Sequence, residues 1–340
     1  MKVLQILGKL EMDSVELPIP EPELGEVRIK VAFAGVCGSD LHYYFEGANG
    51  AFVVKEPLVP GHELSGIVDF DPSGEFPTGL SVTIHPARFG TSEPKIEERP
   101  HLWPGGSYLG SASTWPHTQG GMTEYLIVRK NMVRELPAGL DLATAALAEP
   151  LAVALHALNV AGGVADQRVL ISGSGPIGLL VAAAAKVKGA TEVVTSDLLE
   201  GPLNRAIAVG ASRTIKIGRD EFPENYFDIV FECSGVAPAI TGAITAARRA
   251  GLIVQVGMLG AGNQQIVFAP VVVKELTIKG AFRFNNEIDE AVKILAENSW
   301  ISSVITHTFA LEQAQEAFEI AKDSQTSGKV LIQISYGELS

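Results

Sequence analysis

Val169 to Ala190 reads "VLISGSGPIGLLVAAAAKVKGA": an apolar β-branched run, a glycine-rich turn and an Ala-rich helical run in immediate succession. Gly173, Gly175 and Gly178 stand in the G-x-G-x-x-G spacing. The first permits a tight turn, the second lets backbone approach a pyrophosphate, and the third lets helix and strand pack closely. Pro176 suits a first helical turn because its missing N–H has no intrahelical partner to lose. Beyond it, at Ile177 and Gly178, the helix N-terminus offers free N–H groups to phosphate. The next strand, "TEVVTSD", closes on Asp197, where an acid accepts hydrogen bonds from both hydroxyls of an adenosine ribose and repels a 2′-phosphate. Leu198 and Leu199 follow it rather than a basic residue, so the stretch points to NAD in preference to NADP.

The same alternation continues outward from this stretch. "RVLIS", "EVVTS", "SRTIKI", "FDIVFE", "LIVQVG" and "LTIKGA" are near-continuous apolar strands separated by helical segments, which predicts an α/β domain with a doubly wound, parallel, six-stranded Rossmann sheet over residues 146–285. Before it, residues 1–145 carry short β-branched runs such as "EVRIKVAFAG", "LSGIVDF", "LSVTIHP" and "MTEYLIV" between Gly and Pro turns, the pattern of a β-rich domain with long loops. One loop, Ala87 to Gly121, has little periodicity, and a loop of that length is usually functional or loosely ordered. After residue 285, "NNEIDEAVKILAENSW" and "LEQAQEAFEIAKDS" read as amphipathic helices and "KVLIQIS" as a last strand. Because six strands already complete one sheet, residues 286–340 are expected to complete the first domain.

The 340 residues hold 26 Lys plus Arg against 39 Asp plus Glu, a formal charge of -13 with no basic stripe, which argues against nucleic acid and anionic membranes as partners. The opening "MKVLQILGKLEMDS" is apolar only briefly, so neither a signal peptide nor a membrane span is expected. With only 2 cysteines, Cys37 and Cys233, a disulfide framework is implausible and a reducing cytoplasm is the expected location.

Cys37 lies in "GVCGSDLHYY", which read alone is a loop holding a cysteine, and "GHELSG" downstream adds His62 and Glu63. A thiolate, an imidazole and a carboxylate make a plausible zinc set. Spacing alone leaves the alternatives open: buried filler for the Cys, a surface pair for His and Glu.

"GVCGSDLHYY", "PGHELSG", "AEPLAVALHA" and "GSGPIG" together resemble the medium-chain, zinc-dependent alcohol dehydrogenase family. The likeness is strongest to its polyol branch of sorbitol and L-idonate 5-dehydrogenases, and it runs in the family's order over nearly the whole chain. The resemblance implies a GroES-like catalytic domain before the Rossmann domain, and Cys37 and His62 as zinc ligands. Glu63 or Glu149 would supply the carboxylate: in the polyol branch the residue matching Glu63 ligates, the one matching Glu149 holds the zinc-bound water, and the roles can exchange. A plain alternative for Glu149 is a helix N-terminal carboxylate favoured by the macrodipole. Zinc would lower the pKa of a bound hydroxyl, whose carbon then gives hydride to the nicotinamide. Ser39 would take the substrate proton and His42 pass it towards solvent. Tyr43 would touch substrate, and Arg283 would lie near substrate and cofactor. Val256 and Gly257 join Gly173, Gly175, Pro176, Ile177, Gly178 and Asp197 as implied cofactor contacts.

Two departures qualify the resemblance. Phe284 stands where the polyol branch commonly has tyrosine, which removes a hydroxyl. A sugar acid whose carboxylate pairs with Arg283 therefore becomes an alternative to a polyol; Arg283 could equally be paired with a surface acid. The loop from Ala87 to Gly110 lacks the four cysteines of the family's structural zinc lobe, which implies one catalytic zinc per chain and no structural zinc. Glu97, Glu98 and His101 are expected to be solvated loop residues. Homo-oligomers, tetramers or dimers, are implied by the family, with "GLIVQVGMLGAGNQQIVFAPVVVKEL" as apolar surface for a partner's sheet edge. The other readings are a sorbitol- or threonine-type dehydrogenase, a zinc-free quinone or enoyl reductase, and a nucleotide-binding relative without catalysis.

Overall fold

The computed structural model describes residues 1–335. In chain order the strands used below are β1 (Lys2–Gly8), β2 (Glu11–Glu16), β3 (Glu26–Gly35), β4 (Glu63–Phe70), β5 (Ser81–Ile84), β6 (Tyr125–Arg129) and β7 (Val133–Glu135). They continue as β8 (Arg168–Ser172), β9 (Glu192–Asp197), β10 (Arg213–Lys216), β11 (Phe227–Glu232), β12 (Ala247–Gln255), β13 (Thr277–Gly280), β14 (Ile305–Ala310) and β15 (Lys329–Gln333). The helices are α1 (Gly38–Glu46), α2 (Leu142–Ala145), α3 (Ala148–Ala161), α4 (Pro176–Val187), α5 (Glu200–Ala208), α6 (Ala237–Ala246), α7 (Ala269–Val273), α8 (Glu287–Glu297) and α9 (Ala314–Lys322).

The chain divides into two compact units, Met1–Glu149 with Ile288–Asp323 and Lys329–Ser340, and Pro150–Glu287 with Ser324–Gly328. The boundaries fall inside α3 and at the first residue of α8, a few residues beyond those expected from the sequence. The return of Ser324–Gly328 to the second unit has no signature in the sequence.

In the first unit a seven-stranded sheet runs β7-β5-β4-β3-β15-β14, with β6 also paired to β3. Strand β3 is the hub because its ends have different neighbours: Glu26 to Lys30 pair with β6, whereas Phe33 to Gly35 pair with β15. Val27, Ile29 and Val31 alternate into the core at 0% exposure, the period-2 burial that β-branched residues favour on a pleated face. Three features lie outside what the sequence pattern predicts. The hairpin β1–β2 and strand β14 have no counterpart among the expected strands. "GVCGSDLHYY" is mostly helix: α1 starts after Cys37, is capped at its N-terminus by Asp40 and ends at Gly47 with φ 75°. The long loop is also partly ordered, with Ala87–Arg88 paired antiparallel to Ser107–Tyr108.

The second unit is a six-stranded sheet in the order β10-β9-β8-β11-β12-β13, all neighbours parallel, so each strand expected from Arg168 onward is present. The order reverses between β8 and β11, the switch point where such sheets open a crevice at their strand C-termini.

Near the end of that unit, Glu287 accepts hydrogen bonds from His156 Nδ1 at 2.8 Å, Asn159 Nδ2 at 3.1 Å and the Asn285 N–H at 2.7 Å. Burial opposes its charge, but these donors hold the carboxyl down at about 2 against an ordinary 4.5. A depressed folded-state pKa adds stability above the unfolded value and loses it as pH falls towards the folded value. The stability difference between the parent and Glu287→Gln, followed by thermal unfolding, is therefore expected to be full above pH 4.5 and to shrink between 4.5 and about 2. A difference that does not vary with pH would show that these hydrogen bonds do not favour the ionised form.

Candidate active site

Three segments of the first unit converge on one buried site. Cys37 precedes α1, and its N–H donates to Asp40 Oδ2 at 3.0 Å, while Asp40 Oδ1 accepts from the Gly61 N–H at 3.3 Å. Asp40, fully buried, thus ties the turn that carries Cys37 to the turn that carries His62. Ligand atoms of Cys37, His62 and Glu63 lie within 4.8 Å of one another, and among the described residues this is the group of three His, Cys or acidic side chains that can hold a metal ion. The Nδ1 of His62 is buried without a hydrogen-bond partner among the described residues.

Glu63 owes its position to a glycine. In the sheet register Gly35 of β3 faces Glu63 of β4 on one side and Leu331 of β15 on the other. A Cβ at Gly35 would come within 2.1 Å of Glu63 Oε2, so any side chain there would push the carboxylate aside. Across this gap Lys329 Nζ, 2% exposed, donates to both Glu63 oxygens at 2.7 and 2.6 Å and to the Val36 carbonyl at 3.2 Å.

Glu149 joins the site from the first turn of α3, 4% exposed, with Oε1 accepting from the Tyr108 hydroxyl at 2.5 Å. The Tyr108 ring meets His62 edge-on, with centroids 5.4 Å apart.

The electrostatics of the site call for a cation. Burial penalises an imidazolium at His62, yet Cys37, then Asp40 and Glu149, pull the imidazole up to about 10. Burial pushes the carboxyls of Asp40 and Glu149 up. At Lys329 burial opposes the charge, and Glu63, Cys37 and Glu149 together still raise the ammonium above its usual value. A thiol, an unpartnered buried imidazole nitrogen and a carboxylate are a soft-to-borderline donor set that suits zinc.

The second unit carries the nucleotide residues. Gly173 turns with φ 93°, and a Cβ on it would meet Ser234 at 2.9 Å; a Cβ on Gly178 would meet the Gly173 carbonyl at 1.9 Å. Gly175, Pro176 and Ile177 open α4. Asp197 closes β9 and also braces the loop, accepting from the Ser174 N–H at 2.8 Å and the Leu199 N–H at 3.0 Å. At the neighbouring strand ends, the Val256 and Gly257 N–H groups donate to the Glu232 carbonyl at 2.9 and 2.8 Å.

Two similarities to known families decide the identity. Residues 23–138 match the alcohol dehydrogenase GroES-like domain, and residues 176–297 match the zinc-binding dehydrogenase domain. The chain belongs to the zinc-dependent alcohol dehydrogenase family. It is 36% identical over 310 residues to L-idonate 5-dehydrogenase (NAD(P)(+)) of Escherichia coli K12, covering 89% of this chain and 90% of that one. It is also 36% identical to a sorbitol dehydrogenase of Gallus gallus, covering 94% and 92% of the two chains. The crystal structure of the Escherichia coli L-idonate 5-dehydrogenase superposes with a TM-score of 0.92 at 34% identity, over 98% and 97% of the chains. As a family member this protein is a zinc- and NAD(P)-dependent alcohol dehydrogenase, and its two units have the family's GroES-like and Rossmann folds. No helix among the described residues is long and apolar enough to cross a membrane.

The remaining residues singled out in the sequence sit as follows. Ser39 is half-buried in the first turn of α1, and His42 is exposed one turn on, with Nδ1 3.1 Å from Glu46 Oε1. Tyr43 is 1% exposed; its hydroxyl accepts from the Ala112 N–H at 3.0 Å and lies 3.4 Å from Ser111 Oγ, so in this structure it fastens the 111–113 loop. Arg283 is half-buried in the second unit at φ 51°, its guanidinium 4.8 Å from the Phe282 ring centroid, and Phe284 beside it is core. Asp40, Tyr108 and Lys329 were not foreseen. Asp40 had a local signal, an acid three residues into a helix; the other two had none.

Proposed function

We propose that the protein oxidises a secondary alcohol of a polyol or a sugar acid with NAD, using one zinc per chain held by Cys37, His62 and Glu63. The observation that carries the reading is the convergence of those three ligand atoms, with His62 and Glu63 buried and Cys37 half-buried, and with Glu149 linked to His62 through Tyr108. The identities to L-idonate 5-dehydrogenase and sorbitol dehydrogenase support the substrate class. When bound, zinc supplies a Lewis acid that makes an alcohol easier to deprotonate, and the dinucleotide supplies the hydride acceptor. Cys37 and Glu63 supply negative charge to the ion. Lys329, bonded to both oxygens of Glu63, withdraws part of that charge and leaves the site more receptive to a developing anion. Ser39 takes the substrate proton and exposed His42 releases it to solvent. Tyr43 contributes by holding the loop around Ala112. Arg283 is the candidate partner for a substrate carboxylate. Asp197 favours NAD over NADP by charge.

A homo-oligomer is the proposed assembly. Strand β13 is an edge strand of the second unit's sheet, and near it Phe268, Val272, Val273 and Phe282 are exposed, an apolar edge that a second copy would cover.

One preparation tests the proposal. Metal analysis should return one zinc per chain, light scattering a multiple of the 36.0 kDa chain mass, and a panel of L-idonate, sorbitol, xylitol and L-threonine should show NADH formation with a polyol or an aldonate. Turnover of L-threonine alone would move the protein to the threonine-type branch. Zinc-free turnover would remove the metal from the reaction.

A further inference from the structure

The loop from Ala87 to Gly121 has no cysteine, yet it reaches the candidate active site through Tyr108. Pairing of Ser107–Tyr108 with Ala87–Arg88, and the Leu109 N–H bond to the Pro86 carbonyl at 3.1 Å, bring Tyr108 to 5% exposure. Its ring lies edge-on to His62 and its hydroxyl donates to Glu149 Oε1 at 2.5 Å. The two glutamates of the site therefore have different partners. Glu63, bonded to Lys329, places a carboxylate oxygen in the cluster of ligand atoms; Glu149, bonded to Tyr108, is not part of that cluster.

We propose that Tyr108 is a positioning residue that keeps Glu149 out of the metal's direct ligand set, so that a position stays open for substrate, and that presenting this hydroxyl is the contribution of the long loop to the reaction. The inference rests on the zinc-site reading above. Its physical basis is that packing against His62 needs only the ring, which a phenylalanine supplies equally well. The hydroxyl is spent on a buried carboxylate that shares Tyr108 as a neighbour with the ligand His62 and that, once released, would compete for the metal. An open position is what separates a catalytic zinc site from a structural one, and groups behind the ligands commonly set that geometry.

The test uses the cobalt(II)-substituted protein, in which a four-coordinate ion absorbs strongly in the visible and a five-coordinate ion weakly. The parent should show a thiolate-to-cobalt charge-transfer band and a strong visible spectrum; a missing thiolate band would overturn the metal reading, and this proposal with it. Tyr108→Phe should keep the thiolate band but lose about half or more of the visible intensity as Glu149 joins the metal. It should also bind zinc tighter and turn over more slowly, each by about 10-fold, the lower end of what outer groups contribute. Glu149→Gln, which keeps the packing of Tyr108, should retain the strong spectrum, and adding Tyr108→Phe to it should change nothing. A Tyr108→Phe spectrum and zinc affinity equal to the parent's, or a further change in the double variant, would overturn the proposal.

Discussion

Replacing Cys37 by serine is expected to abolish turnover while leaving dinucleotide binding nearly unchanged. Cys37 is a donor of the cluster at which a cation is called for, and a serine hydroxyl at that position is a far poorer ligand than a thiolate. The loss of activity should therefore exceed the roughly 10–100-fold that follows removal of an outer hydrogen-bond partner. The glycine loop and Asp197 belong to the other compact unit, so the affinity for NAD, measured by calorimetry, should move little. Cofactor reduction at parental rate in Cys37→Ser would show that the metal is not the Lewis acid.

Lys329→Met should have the second large effect, and it should depend on zinc. The Lys329–Glu63 pair is almost completely buried, with side-chain exposures of 2% and 1%. Removing one partner of such a pair leaves an uncompensated buried charge and typically costs about 3–5 kcal/mol. In the metal-free protein that cost should appear in full in a urea unfolding curve. With zinc bound, Glu63 again faces a cation, so the loss should be smaller. Glu63→Gln combined with Lys329→Met should recover much of the metal-free stability, because neither member of the pair is then a charge left without its partner. An equal loss with and without zinc would mean that Glu63 does not face the metal.

These variants separate two levels of information in the chain. The Rossmann half was legible residue by residue, because its signals are local: apolar strands, helical runs between them, and a glycine loop whose close contacts at Gly173 and Gly178 forbid a side chain. Helix α1 was not legible as a helix, although its cap was present in Asp40 and Gly47, because "GSDLHYYFE" is too short a run for a helical period to stand out. Strands β1, β2 and β14 escaped for a related reason: each owes its state to a partner strand rather than to its own pattern.

What the sequence alone determined was the order of the two folds, the dinucleotide loop with its acid, and a short set of candidates for the metal, in which the choice between Glu63 and Glu149 as the carboxylate ligand rested on the family resemblance alone. Only the tertiary structure gave those two glutamates different surroundings. It carries Lys329 from the C-terminal strand across the gap at Gly35 onto Glu63, and Tyr108 from a loop without periodicity onto Glu149. A partner 266 positions away leaves no mark in a local pattern, and a buried carboxylate's behaviour is set by the donors within about 3 Å of it, wherever in the chain they arise.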